Sequence, residues 1–189
     1  MMNASKPGVT EKIILGIDPG TNLMGYGLIK VQGQRITLIQ YGVIHLSKYS
    51  NHELKLKKIF ERIQALCDDY HPDEVALEAP FYGKNVQSML KLGRAQGVAM
   101  AAALMRDIPI AEYAPKKVKS SVTGNGNASK EQVAEMIKTL VNQPLEPKAL
   151  DATDAVAVAI CHHFHGGKPQ SSGKANWKGF IQENPGRVK

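Results

Sequence analysis

The sequence predicts an α/β fold in which a mixed sheet has helices on both faces. Three features carry that prediction. β-type runs follow one another three times in the first quarter of the chain, helical and strand-like patterns alternate after them, and 43% of the 189 residues are hydrophobic, enough for the core of one globular domain.

Residues 1–12 are polar and include Pro7 and Gly8, the composition of a loose leader. Ile13 to Asp18 is a short apolar run stopped by Pro19 and Gly20, as in a buried strand that ends in a turn. Met24 to Val31 and Arg35 to Leu46 are β-rich and meet at Gln32-Gly33, so the opening is a three-stranded meander. Ser50 is placed to cap a helix reaching Tyr70, because Leu56, Ile59, Phe60, Ile63, Leu66 and Cys67 recur on one helical face. Glu74 to Glu78 is a fourth strand that Pro80 stops, which puts Glu78 at a strand end. Val86 to Met105 is helical and dense in Gly and Ala, allowing close approach of the sheet or of a second subunit. Ile108 to Tyr113 reads as the fifth strand, and Pro115 suits the first position of a short helix that Gly124-Asn-Gly-Asn ends. Ser129 and Gln132 form a capping box for a helix to Val141, and a last helix runs from Leu150 to His163. From His165 the chain turns to Gly, Ser, Lys, Pro and Gln, too poor in apolar groups to order itself. The expected layout is therefore a leader (1–12), one domain (13–164) and a flexible basic tail (165–189).

Lys and Arg total 24 against 17 Asp plus Glu, a net charge of +7, which suits a polyanion such as nucleic acid and equally a protein merely kept soluble by charge. Cys67 and Cys161 lie in apolar helical patterns without C-x-x-C spacing, so they read as reduced core residues. No apolar stretch reaches the roughly 18 residues that span a bilayer, and no long apolar segment near the N-terminus marks a signal peptide. A cytoplasmic location is expected.

Four acids stand out. Asp18 closes an apolar strand, where an unpaired charge is costly, but an Asp-Pro-Gly-Thr segment also serves as a plain turn. Glu78 poses the same choice at its own strand end. Asp151 and Asp154 are three apart, which places them on one helical face, and the small apolar run Ala155 to Ile160 lets that helix pack closely and bring both acids near the sheet. They equally suit a helix N-terminus, as cap and first-turn acid. Converging carboxylates without Cys or His are what magnesium prefers, and two such ions about 3.5 to 4 Å apart serve phosphodiester hydrolysis.

Taken together, Gly16-Ile-Asp-Pro-Gly-Thr-Asn-Leu-Met-Gly-Tyr-Gly27, Glu78-Ala-Pro-Phe-Tyr-Gly-Lys-Asn85, Leu92-Gly-Arg-Ala-Gln-Gly97 and Asp151-Ala-Thr-Asp-Ala155 resemble the RuvC Holliday-junction resolvases. The resemblance runs from about Lys12 to His163, with the motifs in the family's order. It implies an RNase H-like fold with a five-stranded sheet, and a Mg2+-dependent (Mn2+ tolerated) crossover junction endodeoxyribonuclease that nicks four-way DNA junctions symmetrically. It implies that Asp18, Glu78, Asp151 and Asp154 are the catalytic, metal-binding acids. It further implies DNA contacts by Phe81, stacking on bases opened at the junction centre, and by Lys119 and Lys130, while Lys84, a basic residue flanking the proposed site, is expected to contact DNA as well. The partners it implies are a second copy of the chain, with the Gly/Ala-rich helix as the interface candidate, and the branch-migration proteins RuvA and RuvB.

Other features carry less. Lys91, Arg94, Lys116 and Lys117 also flank the proposed site, though Lys116 and Lys117 equally suit a solvated helix face. The cluster His162, His163 and His165 reads as helix-end residues that offset the helix dipole rather than as metal ligands. Actin-like ATPases share an Asp-x-Gly-Thr loop after a strand but need a duplicated domain, which this chain lacks. A junction-binding protein without catalysis is the non-enzymatic alternative, against which the retention of all four acids argues.

Overall fold

The computed structural model describes residues 11–80, 85–145 and 150–166. Its elements, in order, are β1 (Glu11–Asp18), β2 (Leu23–Gln32), β3 (Arg35–His45), α1 (His52–Tyr70), β4 (Glu74–Glu78), α2 (Val86–Leu104), β5 (Ile110–Tyr113), α3 (Pro115–Thr123), α4 (Lys130–Val141) and α5 (Leu150–Phe164). Sheet order is β3-β2-β1-β4-β5. β1, β2 and β3 form the antiparallel meander, while β4 runs parallel to both β1 and β5. The parallel neighbours are joined through helices, as parallel pairing requires. The expected mixed α/β sheet of five strands is thus observed.

Side chains alternate across each strand, and the alternation splits the core in two. Leu15 and Ile17 on β1, with Val75 and Leu77 on β4, pack beneath α1 and α2. Ile14 on β1 and Ala76 on β4 face the opposite way, toward α3, α4 and α5. Helices therefore cover both faces, and Asp18 and Glu78 share the parity of Ile14 and Ala76, which directs them to the α5 side.

α5 reaches the sheet because glycine leaves it room. A Cβ on Gly16 would lie 2.1 Å from the Ala155 carbonyl oxygen, and one on Gly25 would lie 2.3 Å from that of Asp151. Nothing larger than hydrogen fits between those strands and the helix backbone.

Several boundaries differ from the sequence reading. β1 starts at Glu11, so Lys12 belongs to the sheet opposite Val31 and not to a leader. Asn51, not Ser50, caps α1, accepting a hydrogen bond from the Leu54 amide at 2.9 Å. β5 begins at Ile110, since the Ile108 amide instead bonds the Ala103 carbonyl at the end of α2. Ser129 and Gln132 do form the capping box of α4. Cys67 and Cys161 are buried and free. Among the described residues no helix is long and apolar enough to cross a membrane. The leader up to residue 10 and the tail from residue 167 lie outside the described residues.

Candidate active site

Asp18 is the last residue of β1 and Glu78 the last of β4. The pairing of Ile17 with Leu77 puts these two carboxylates side by side on adjacent parallel strands, whose spacing is about 4.8 Å. α5 lays its first turn across them, and Gly25, the β2 partner of Asp18, is the point where the Asp151 backbone touches the sheet. Asp18, Glu78 and Asp154 consequently line one cavity of about 310 Å³, together with Lys119 and Lys130. This position, outside the carboxyl ends of parallel strands, is where open α/β sheets place their ligands.

The electrostatics of the cavity are lopsided. Burial, reinforced by Glu78, Asp154 and Asp151, pushes the Asp18 carboxyl up to about 8, with only Lys130 opposing. Glu78 rises to about 7, first through burial and then through Asp154, against Lys119 and Lys130. Asp154 is also raised, by burial, although Lys130 pulls the other way. Lys119 and Lys130 together cannot offset the crowded charge of Asp18, Glu78, Asp151 and Asp154, and a divalent cation would.

Lys130 Nζ lies 2.8 Å from Asp151 and 2.7 Å from Asp154, bridging the pair. Burial works against its charge, but these two hydrogen bonds raise its pKa overall. Among the described residues no three Asp, Glu, His or Cys side chains close around a single ion position. The donor set nevertheless fits a hard cation: oxygen donors only, with Asp18, Glu78 and Asp154 held above the usual carboxylate range first by burial and then by neighbouring acids.

Of the residues picked for DNA contact, Lys119 lines the cavity and donates to the Ala128 carbonyl at 2.8 Å, which anchors its ammonium beside the acids. Lys130 faces the acids as described. Phe81 and Lys84 lie outside the described residues. Lys117 sits 5.5 Å over the Tyr113 ring.

The histidine cluster needs correcting. His162 is buried at 1% exposure and does not serve as a charged helix end. Its Nε2–H donates to Glu74 at 2.8 Å, and its Nδ1 accepts from the Tyr113 hydroxyl at 2.8 Å. Burial lowers its pKa despite Glu74, so the ring is neutral, and this tautomer satisfies every partner. Lys12 completes the set with an ion pair to Glu74 at 2.7 Å. His165 does what the sequence reading assigned to the whole cluster, its Nδ1 lying 2.7 Å from the Cys161 carbonyl near the helix end.

Sequence reasoning missed this network, and it missed the strand glycines that admit α5. For the glycines a signal existed: Gly25 and Gly27 alternate on β2 and so share a face, and Gly16 pairs with Gly27. No local signal joined Lys12, Glu74, Tyr113 and His162.

The fold and its carboxylate cluster define an RNase H-like protein. Comparison with known proteins makes the assignment specific. The family model described as Crossover junction endodeoxyribonuclease RuvC matches residues 14–162, and the chain belongs to that family. A Crossover junction endodeoxyribonuclease RuvC of Cytophaga hutchinsonii is 62% identical over the whole of this chain and 94% of the relative. One from Bacteroides fragilis is 59% identical over 96% of this chain and 98% of the relative. The solved structure of Thermus thermophilus RuvC in complex with Holliday junction substrate superposes with a TM-score of 0.76 at 28% identity, covering 82% of this chain and 94% of that one.

Proposed function

We propose that the chain, through the domain at residues 13–164, resolves four-way DNA junctions in recombination and repair by paired, symmetric phosphodiester hydrolysis. The observation that carries this reading is the cavity where acids from β1, β4 and α5, far apart in sequence, share one pool of uncompensated charge beside two lysines. Family membership supports it, since relatives bear the nuclease's name and one solved relative holds a Holliday junction.

Asp18, Glu78, Asp151 and Asp154 are the residues that would hold Mg2+, with Mn2+ as a substitute. When bound, the metal supplies an activated water and neutralises charge on the phosphoryl and leaving oxygens. Asp18 and Glu78, fixed at neighbouring strand ends, orient the attack site. Asp154, at 15% side-chain exposure, keeps bulk water from one side, while Asp151, at 42%, faces the incoming strand. Lys119 and Lys130 offer ammonium groups to the phosphate being cut. Phe81 and Lys84, which follow Glu78 in sequence, make the base and backbone contacts beyond it.

A homodimer matches the two-fold symmetry of a junction. Support comes from α2, where Val86, Leu90, Gly93, Gly97, Ala101 and Leu104 recur at helical spacing on an exposed face. A Cβ on Gly93 or Gly97 would meet nothing within 4 Å, so a second helix has room to approach there. RuvA and RuvB are the partners in branch migration, and the setting is the cytoplasm.

The test is to incubate the purified protein with synthetic four-way junctions and with matched linear duplexes, with and without Mg2+. Nicking confined to junctions and to Mg2+ is expected. Asp18→Asn should bind junctions as the parent does while cleavage falls roughly a thousandfold or more. Undiminished nicking by that variant would overturn the catalytic assignment.

A further inference from the structure

A second polar cavity, of about 310 Å³, is lined by residues of the turn that follows Asp18 and of α1 and α2. Every residue lining it is polar, among them Thr21, Asn22, His52, Lys55, Ser88 and Lys91. Two lysines and no carboxylate face it, the reverse of the charge balance in the catalytic cavity.

The cavity is prebuilt. Lys55 Nζ donates to the Thr21 carbonyl at 3.1 Å and to Asn22 Oδ1 at 3.2 Å, tying α1 to the β1–β2 turn. The Asn22 carbonyl accepts from the Leu46 and Ser47 amides at 2.8 and 3.1 Å, pinning the turn from the other side. Lys55 keeps its third N–H, and neither an ion pair nor a hydrogen bond of Lys91 is found among the described residues. His52 lines the same space, and its Nε2, shielded from solvent, has no hydrogen-bond partner among the described residues. α1 and α2 both begin here, capped by Asn51 and Asn85, so their positive dipole ends add to the lysine charge.

Thr21 is three residues from Asp18, which limits their separation to about 10 Å. That is within one or two backbone steps of a nucleic-acid strand held at the catalytic acids.

We propose that this cavity binds a non-scissile backbone phosphate of the strand being cut, within about three nucleotides of the cleaved bond. Lys91 and Lys55 supply charge, and Ser88 and His52 supply further hydrogen bonds. The site reads no bases; it fixes the register of the strand over the acids. The inference rests on the nuclease reading above.

The test uses full-length protein and a four-way junction in which single phosphates around the cut are replaced, one at a time, by uncharged methylphosphonate. Binding is measured with Ca2+ in place of Mg2+, and cleavage of the unmodified junction is followed in parallel. Lys91→Ala, on an exposed helix position, should weaken binding about threefold to tenfold and reduce the salt slope by about one phosphate. One methylphosphonate position should weaken the parent by a similar factor and leave Lys91→Ala unaffected. Ser88→Ala should show the same coupling, more weakly. If the parent cuts junctions but neither variant couples to any phosphate near the cut, the subsite is overturned and the nuclease reading stands. If the parent does not cut, the nuclease reading itself fails, and the subsite with it.

Discussion

Helix α5 lies across the same two strands at both of its ends, and the two ends follow opposite rules. At the C-terminal end His162 meets Glu74 and Tyr113, Lys12 meets Glu74, and every described polar atom of the set has a partner. Glu74 is held below its usual range: burial alone would raise it, but hydrogen bonds from Lys12 and His162 prevail. At the N-terminal end Asp154 meets Glu78 and Asp18, and both of those carboxyls are raised by burial and mutual repulsion. Glu74 and Glu78 stand on one strand and on one face. Four strand residues span about 13 Å, and the eight helical residues from Asp154 to His162 span about 12 Å, so helix and strand match end to end. The difference teaches what each end is for: one is a closed polar network that fixes the helix, and the other is held open at a cost in stability for a ligand of opposite charge.

The strongest way to break this contrast is to neutralise one acid and one member of the network in parallel. Asp154→Asn should cut Mg2+-dependent junction cleavage by roughly a thousandfold or more, with thermal stability unchanged or higher. His162→Phe should keep cleavage per folded molecule within about threefold, yet cost roughly 1–3 kcal/mol in urea unfolding, because Glu74 and Tyr113 lose a buried partner. Equal loss of cleavage in both would erase the distinction.

The next effect concerns pH. Asp18 and Glu78 bind protons more tightly folded than unfolded, so without divalent metal the contribution of these two groups to stability is complete below about pH 4 and is lost as pH rises toward about 8. The loss should be on the order of a few kcal/mol, measured by urea unfolding in chelator, and Asp18→Asn should remove much of it. Millimolar Mg2+ should flatten the same curve, and a profile identical with and without metal would count against the acids as its ligands.

A smaller effect tests how the helix reaches the acids. Gly25→Ala places a methyl against the Asp151 carbonyl and should destabilise by roughly 1–3 kcal/mol while lowering cleavage through a displaced Asp151. Smallest is Lys117→Ala, which removes a contact over the Tyr113 ring worth under about 1 kcal/mol and should leave the salt dependence of junction binding unchanged.

Much of this was legible beforehand, and unevenly so. Strands and helices with clean periodicity, such as β1, β4 and α4, could be placed because burial imposes period 2 or 3.6 on the chain itself. The cap of α1 fell on Asn51 instead of Ser50 because adjacent residues offer the same side-chain chemistry, and only the backbone angles choose between them. His162 was misjudged because helix position hints at charge, whereas its partners come from β4 and β5, 88 and 49 residues away in sequence. The four acids were visible as motifs, but each alone was also consistent with a turn or a cap.

By itself the sequence determined the order of strands and helices, the acids that end them and the basic balance of the chain, since these follow from local pattern and composition. Only the tertiary structure decided that α5 would lie against Gly16 and Gly25, that Lys130 would stand between Asp151 and Asp154, and that Lys55 would tie the turn after Asp18 to α1. Those contacts join residues tens of positions apart, and charge and packing across such distances act only once the chain has closed on itself.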